Sequence, residues 1–152
     1  MLQQANSIRI FIAEDNPADV YLLEEAFREH GLTVDLHVWH DGEEALHYFD
    51  KLDDDSSNLP CPDIALIDLN ITKVGGESLI ELLRKSPKCA NSQIVVLTSS
   101  DSPDEKSRAL ALGANAYLLK PSGLDEFLKI GGIVRDLHSR LSAKARPQGS
   151  SN

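Results

Sequence analysis

The chain has 152 residues, with 15 Lys and Arg against 24 Asp and Glu, which gives a formal net charge of −9 at pH 7. This length suits a single domain, and a 41% hydrophobic content is enough to bury a core. The negative charge disfavours nucleic-acid binding, and no apolar run approaches the roughly 20 residues of a membrane-spanning helix. The N-terminus lacks the pattern of a secretion signal, and two cysteines, Cys61 and Cys89, are too few for a disulfide framework. We therefore expect a reduced, cytoplasmic protein in which both cysteines are free thiols.

Short apolar runs of strand length recur along the chain. They are Ile8–Ala13, Val34–Trp39, Ile64–Asp68, Ile94–Thr98 and Ala116–Leu119. The third and fourth runs are almost continuously apolar, which is typical of parallel strands covered on both faces. Amphipathic segments of helical period separate the runs and follow the last one. This alternation predicts a parallel sheet with right-handed crossovers and helices on both faces.

Several of the helical segments carry start and stop signals. Asn16 stands before a proline and has Asp19 three residues after it, as at the start of a helix. Ser102 opens a capping box with a glutamate three residues on. Gly31 and Gly113 stand where helices are expected to end.

The last helical segment is predicted to be one continuous helix that begins near Leu124 and ends near Leu141. Gly131–Gly132 lies inside it and indicates either a weak point or close packing against a neighbour. The resulting boundaries are an N-terminal segment at residues 1–7, one domain at residues 8–142, and a flexible C-terminal tail at residues 143–152.

Polar side chains follow the predicted strands at their carboxyl ends. Glu14–Asp15 follows the first strand, Asp68 ends the third, Thr98 ends the fourth and Lys120 follows the fifth. In an open parallel sheet, ligands bind at this edge. Converging carboxylates resist joint ionisation, and a hard divalent cation such as Mg²⁺ relieves that repulsion. Carboxylate, hydroxyl and ammonium groups together suit a tetrahedral anion, with Asp68 as the nucleophile for a phosphoryl group.

Four segments, in this order, carry a resemblance to a known family. They are Ile12–Asn16, Leu66–Asn70, Val96–Ser99 and Gly113–Pro121. Together they resemble the receiver domain of two-component response regulators, and within that family the single-domain type associated with phytochrome kinases. The resemblance implies a flavodoxin-like, doubly wound fold with five parallel strands in the order 2-1-3-4-5.

The resemblance also implies a metal site and a phosphoacceptor. Asp68 would accept the phosphoryl group and contact Mg²⁺. Asp15 would bind Mg²⁺ directly, Glu14 would bind it through water, and Asn70 would bind it through its carbonyl. The protein would thus be a signalling phosphoacceptor rather than an enzyme.

The same resemblance assigns the residues that act after phosphorylation. Thr98 would move onto a phosphoryl oxygen, Lys120 would pair with the phosphoryl group, and Tyr117 would turn inward as an aromatic switch. The implied partners are a histidine kinase or phosphotransfer protein and a downstream protein target. We also expect a homodimer through the face formed by the fourth helix, the fifth strand and the last helix.

Three other functions remain open at this stage. The run Asp68–Thr72 resembles the signature of haloacid-dehalogenase phosphatases, although Asn70 stands where that chemistry uses an acidic proton donor. A phosphorylation-independent interaction module is the second alternative. A flavodoxin-type FMN binder is the third, but no Ser/Thr/Gly-rich phosphate loop follows the first strand.

Overall fold

A computed structural model describes residues 7–54 and 58–145. The strands are β1 Ile8–Ala13, β2 Val34–Trp39, β3 Ile64–Ile67, β4 Gln93–Thr98 and β5 Ala116–Leu119. The helices are α1 Pro17–Glu29, α2 Gly42–Asp50, α3 Gly76–Lys85, α4 Pro103–Leu112, α5 Leu124–Leu128 and α6 Ile130–Ala145. A short 3-10 helix, Pro87–Cys89, lies between α3 and β4. Over the described ranges, no helix is both long enough and apolar enough to cross a lipid bilayer.

The five strands form one parallel sheet in the order β2-β1-β3-β4-β5. This confirms the predicted flavodoxin-like, doubly wound topology. The register aligns Ala13 with Ile67, Ile67 with Val96, and Thr98 with Leu119. The carboxyl ends of β1, β3, β4 and β5 therefore meet at one edge of the sheet.

Alternate strand residues enter two separate cores, one on each face of the sheet. Ile10 and Ile12 of β1 pack with buried residues of α1, α5 and α6. Phe11 and Ala13 of the same strand pack on the other face with buried residues of α2, α3 and α4. Because both faces are covered, the central strands are apolar at nearly every position, as the sequence indicates.

The predicted helix signals are present in the structure. The Asn16 side chain accepts a hydrogen bond from the backbone N–H of Ala18, and Ser102 accepts one from that of Glu105. Gly31 and Gly113 have φ values of +67° and +119°, a left-handed conformation that glycine adopts without steric cost. Both glycines follow helices that end where the sequence predicts.

The prediction of one continuous last helix is wrong, because the helix is broken at Lys129 into α5 and α6. A Cβ atom on Gly131 would collide with the carbonyl oxygen of Ala26, so α6 approaches the backbone of α1 too closely for any side chain. His30 places Nε2 3.1 Å from the Leu128 carbonyl oxygen, next to the break. Gly131 therefore serves close packing. α6 continues to Ala145, and the remainder of the predicted tail lies outside the described residues.

The expectation of two free thiols is also wrong, because Cys61 and Cys89 are joined by a disulfide. Their Cα atoms are 5.4 Å apart, within the range that a disulfide spans. The cysteines precede β3 and β4, which pair in parallel from Ile64 and Gln93 onward. The segments before β3 and β4 therefore enter the sheet side by side, at the amino ends of the two strands. This brings the two cysteines together.

Candidate functional site

The polar residues predicted to converge lie at the edge of the sheet where β1, β3, β4 and β5 end. Glu14 and Asp15 follow β1, Asp68 follows β3, Thr98 is the last residue of β4, and Lys120 follows β5. The Lys120 N–H donates to the Thr98 carbonyl oxygen at 2.7 Å, which fixes the start of the loop after β5. The strand register thus explains why these residues, distant in sequence, share one site.

Three carboxylates form a compact acidic cluster at the centre of this edge. Glu14, Asp15 and Asp68 each offer one oxygen, and these oxygens all lie within 4.8 Å of one another. Glu14 is 2% exposed and Asp68 is 7% exposed, whereas Asp15 is half-buried. Such a set of hard oxygen donors fits a divalent cation such as Mg²⁺ or Mn²⁺.

Backbone N–H groups hold each carboxylate of the cluster in place. Asn16 donates to Glu14 Oε2 at 3.0 Å, and Asn70 donates to Asp68 Oδ1 at 3.0 Å. The Thr72 N–H donates to Asp15 Oδ2 at 3.1 Å, which ties the loop after β3 to the segment after β1. The cluster is therefore oriented by main-chain contacts that do not depend on neighbouring side chains.

Lys120 is the cation that contacts this cluster. Its Nζ lies 2.8 Å from Glu14 Oε1 and 3.1 Å from Asp68 Oδ2. The same nitrogen lies 2.7 Å from Asp19 Oδ2, on the first turn of α1. The side chains of Lys120, Asp19 and Asp68 are all largely buried, so these ion pairs are shielded from solvent far more than surface pairs are.

The electrostatics of the site favour an additional positive charge. Burial raises the pKa of Glu14, the hydrogen bond from Lys120 opposes that rise, and the charge of Asp68 adds to it, so the pKa of Glu14 is about 7. Burial alone lowers the pKa of Lys120, but hydrogen bonds to Asp19 and Glu14 outweigh it and raise that pKa above its usual value. One ammonium thus faces several carboxylates, and a divalent cation would offset the remaining negative charge.

Thr98 and Asn70 lie at the rim of the cluster. The Thr98 hydroxyl oxygen accepts from the Asn70 side-chain amide at 3.3 Å and from the Ser100 N–H at 3.3 Å. Thr98 is fully buried, while Asn70 is exposed on the loop after Asp68. The threonine hydroxyl and the loop after the predicted phosphoacceptor are therefore in direct contact.

Tyr117 is connected to the same rim through the loop after β4. Its hydroxyl donates to the Ser100 carbonyl oxygen at 2.7 Å, and its ring packs against the core that contains α3 and α4. Burial raises the pKa of Tyr117, and the charge of Glu105 adds to that rise. Tyr117 and Thr98 thus both contact Ser100, from the two strands β5 and β4.

Asp19 contributes a carboxylate to the site, although sequence reasoning did not place it there. The sequence pattern places Asp19 only at the start of a helix, where a carboxylate stabilises the exposed N–H groups. Its place in the first turn of α1, directly after the segment that carries Glu14 and Asp15, is the signal that would have found it. In the structure it pairs with Lys120, 101 residues away in the chain.

Comparison with known proteins identifies the family. The response regulator receiver domain family matches residues 10–130. A probable methanogenesis regulatory protein of Methanothrix harundinacea, FilR2, is 31% identical over 126 residues, which cover 83% of this chain and 80% of that protein. The response regulator Rcp1 of Synechocystis is 28% identical over 121 residues, which cover 80% of this chain and 82% of Rcp1.

Solved structures agree with the sequence comparison. The crystal structure of the phosphorylated cyanobacterial phytochrome response regulator RcpA matches with a TM-score of 0.74 and 29% identity, covering 84% of this chain and 91% of RcpA. The Mn²⁺-bound form of Rcp1 matches with a TM-score of 0.72 and 28% identity, covering 83% of this chain and 91% of Rcp1. The chain therefore belongs to the response regulator receiver domain family, whose members are signalling phosphoacceptors that work with histidine kinases.

Proposed function

We propose that this chain acts in the cytoplasm and accepts a phosphoryl group from a histidine kinase on Asp68, in a Mg²⁺-dependent reaction. The observation that carries the proposal is the position of the Asp68 carboxylate, in contact with Lys120 and within the cluster of Glu14 and Asp15. An Asp68 oxygen forms the new bond to phosphorus as the phosphorus–nitrogen bond of the kinase histidine breaks. The electron pair of that bond stays on the departing imidazole nitrogen.

The proposed metal site uses the acidic cluster and the adjoining loop. Asp15 and Asp68 would bind Mg²⁺ directly, Glu14 would bind it through water, and Asn70 would supply its main-chain carbonyl. When bound, the cation neutralises charge on the phosphoryl oxygens and lowers the repulsion between them and the carboxylates. The structure of the similar regulator Rcp1 is a Mn²⁺-bound form, which supports the binding of a divalent cation by this chain.

Thr98, Lys120 and Tyr117 are proposed to respond to the phosphoryl group. Lys120 would donate to one phosphoryl oxygen, and the Thr98 hydroxyl would donate to another. Moving the Thr98 hydroxyl would break its contact with the Ser100 N–H, and Ser100 is also the partner of the Tyr117 hydroxyl. The contact through Ser100 supports a role for Tyr117 as the switch that passes the change to the surface.

The test of this function is phosphorylation by acetyl phosphate, a small-molecule donor that replaces the kinase. We expect intact-protein mass spectrometry to show the addition of one phosphoryl group when Mg²⁺ is present and none when EDTA is added. Each chain should be labelled once. Continuous release of phosphate from p-nitrophenyl phosphate would instead favour a phosphatase, and no labelling in Mg²⁺ would contradict the proposal.

The phosphorylated surface is proposed to bind a downstream protein and a second copy of the chain. Leu119 and Leu124 are 49% and 57% exposed, on β5 and the start of α5. They belong to the elements of the proposed face, which is formed by α4, β5 and the last two helices. Light scattering should show a larger mass when beryllofluoride, a phosphoryl mimic, is added with Mg²⁺; a monomer in both conditions would contradict the dimer.

We propose a phytochrome as the histidine kinase, because the chain is similar to the phytochrome response regulator RcpA.

A further inference from the structure

Lys120 contacts three carboxylates in this structure. Its Nζ lies 2.7 Å from Asp19, 2.8 Å from Glu14 and 3.1 Å from Asp68. The Nζ donates to Asp19 and Asp68 and forms an ion pair with Glu14, so most of its three N–H donors are engaged. An additional acceptor would therefore compete with these partners for Lys120.

Phosphorylation of Asp68 would bring such an acceptor into the site. A phosphoryl group carries close to two negative charges and three strong acceptor oxygens, and because it uses up the charge of the Asp68 carboxylate, the site gains about one negative charge. Among the present partners, Glu14 and Asp68 belong to the acidic cluster, whereas Asp19 lies on α1 and is not a member of it. Asp19 also makes the shortest of the three contacts with Lys120. The Asp19 carboxylate thus occupies an N–H donor of Lys120 that a phosphoryl oxygen would need.

We propose that Asp19 is a positioning residue that competes with the phosphoryl group for Lys120 and thereby favours the unphosphorylated form. The inference rests on the proposed function of Asp68. A contact that is stronger in one state of a protein stabilises that state relative to the other. In addition, Asp19 and the phosphoryl group are both negative and would share one ammonium, so repulsion between them adds to the competition.

The experiment measures the affinity for beryllofluoride at saturating Mg²⁺, by calorimetry, in Asp19→Asn and Asp19→Ala. Beryllofluoride stands for the phosphoryl group on Asp68. The asparagine keeps an oxygen acceptor for Lys120 but removes the charge, and the alanine removes both. We expect beryllofluoride to bind about three- to tenfold more tightly to Asp19→Asn, the range that corresponds to one partly buried ion pair. Asp19→Ala should show at least the same gain.

The matched control is Glu29→Gln, which removes one negative charge from the other end of α1. Glu29 is exposed, and its substitution should leave the beryllofluoride affinity unchanged. Mg²⁺ affinity, measured without beryllofluoride, separates competition for Lys120 from a general strengthening of the site, which would raise both affinities. Removing a nearby negative charge can only weaken Mg²⁺ binding, whereas release of Lys120 strengthens beryllofluoride binding, so the two effects have opposite signs. A role confined to the start of α1 would lower stability and leave the beryllofluoride affinity unchanged.

Two results would overturn the inference about Asp19 while leaving the proposed function of Asp68 intact. In one, wild-type protein binds beryllofluoride and Asp19→Asn binds it equally well or more weakly. In the other, Glu29→Gln shows the same gain as Asp19→Asn, which would assign the effect to net charge. If the wild-type protein binds no beryllofluoride in Mg²⁺, the proposed function of Asp68 fails, and the inference about Asp19 fails with it.

Discussion

Asp68→Asn will abolish the uptake of a phosphoryl group from acetyl phosphate. The asparagine has nearly the same shape as the aspartate but carries no negative charge and no nucleophilic carboxylate oxygen. We expect the rate of labelling to fall by about a thousandfold or more, the scale of loss seen when an activated nucleophile is removed. Intact-protein mass spectrometry over a time course, with Mg²⁺ at saturation, measures this rate.

The fold of the Asp68→Asn protein should be preserved. Lys120 keeps its contacts with Glu14 and Asp19. Burial is the main cause of the raised pKa of Glu14, and the substitution removes the repulsion from Asp68 that adds to it. Thermal unfolding should therefore occur at or above the wild-type temperature. A loss of labelling accompanied by loss of structure would not identify the nucleophile, so the two measurements belong together.

Asp63→Asn is the matched control, because Asp63 lies just before β3, at the opposite end of the strand from Asp68. Its carboxylate accepts a hydrogen bond from the Arg9 backbone N–H at 2.8 Å, and asparagine can keep that contact. We expect wild-type labelling in this variant. Equal labelling of Asp68→Asn and wild type, or a label mapped to Asp15, would show that Asp68 is not the phosphoacceptor.

The strands were predictable from the sequence because burial on both faces of the sheet requires runs of residues that are almost continuously apolar. The predicted and observed bounds of β1, β2 and β5 are identical, and those of β3 and β4 differ by one residue. A parallel sheet of continuously apolar strands has few alternative arrangements once right-handed crossovers are required. The site followed from the fold, since residues that end neighbouring parallel strands must share an edge.

The break between α5 and α6 and the role of Asp19 depend on distances that the local sequence does not contain. In the sequence, Gly131 is equally consistent with a weak point in a helix and with close packing between two helices. The position of Ala26 on α1 decides between these interpretations. The residues around Asp19 in the sequence are likewise the same whether its carboxylate only stabilises the first turn of α1 or also pairs with Lys120. In both cases the deciding partner lies about 100 residues away in the chain.

The disulfide was missed because the distance between Cys61 and Cys89 is also absent from the local sequence. We expect this disulfide to make a large contribution to the stability of the folded protein. The pair closes a loop with a sequence separation of 28 residues. By the chain-entropy relation, a cross-link of this size stabilises the folded state by about 3.5 kcal/mol, mainly by restricting the unfolded chain. For a domain of this size, such a loss corresponds to a fall in the melting temperature of roughly 10 °C.

We therefore expect a reducing agent to lower the melting temperature of the wild-type protein by roughly this amount. The control is the double variant Cys61→Ser/Cys89→Ala, which should melt at the same temperature with and without the reductant. Thiol titration of the unfolded, unreduced wild type should detect no free cysteine. Equal melting temperatures of the wild type in both conditions would contradict a stabilising cross-link. Because cytoplasmic thiols are usually kept reduced, the fraction of oxidised protein in cells also tests the predicted cytoplasmic location.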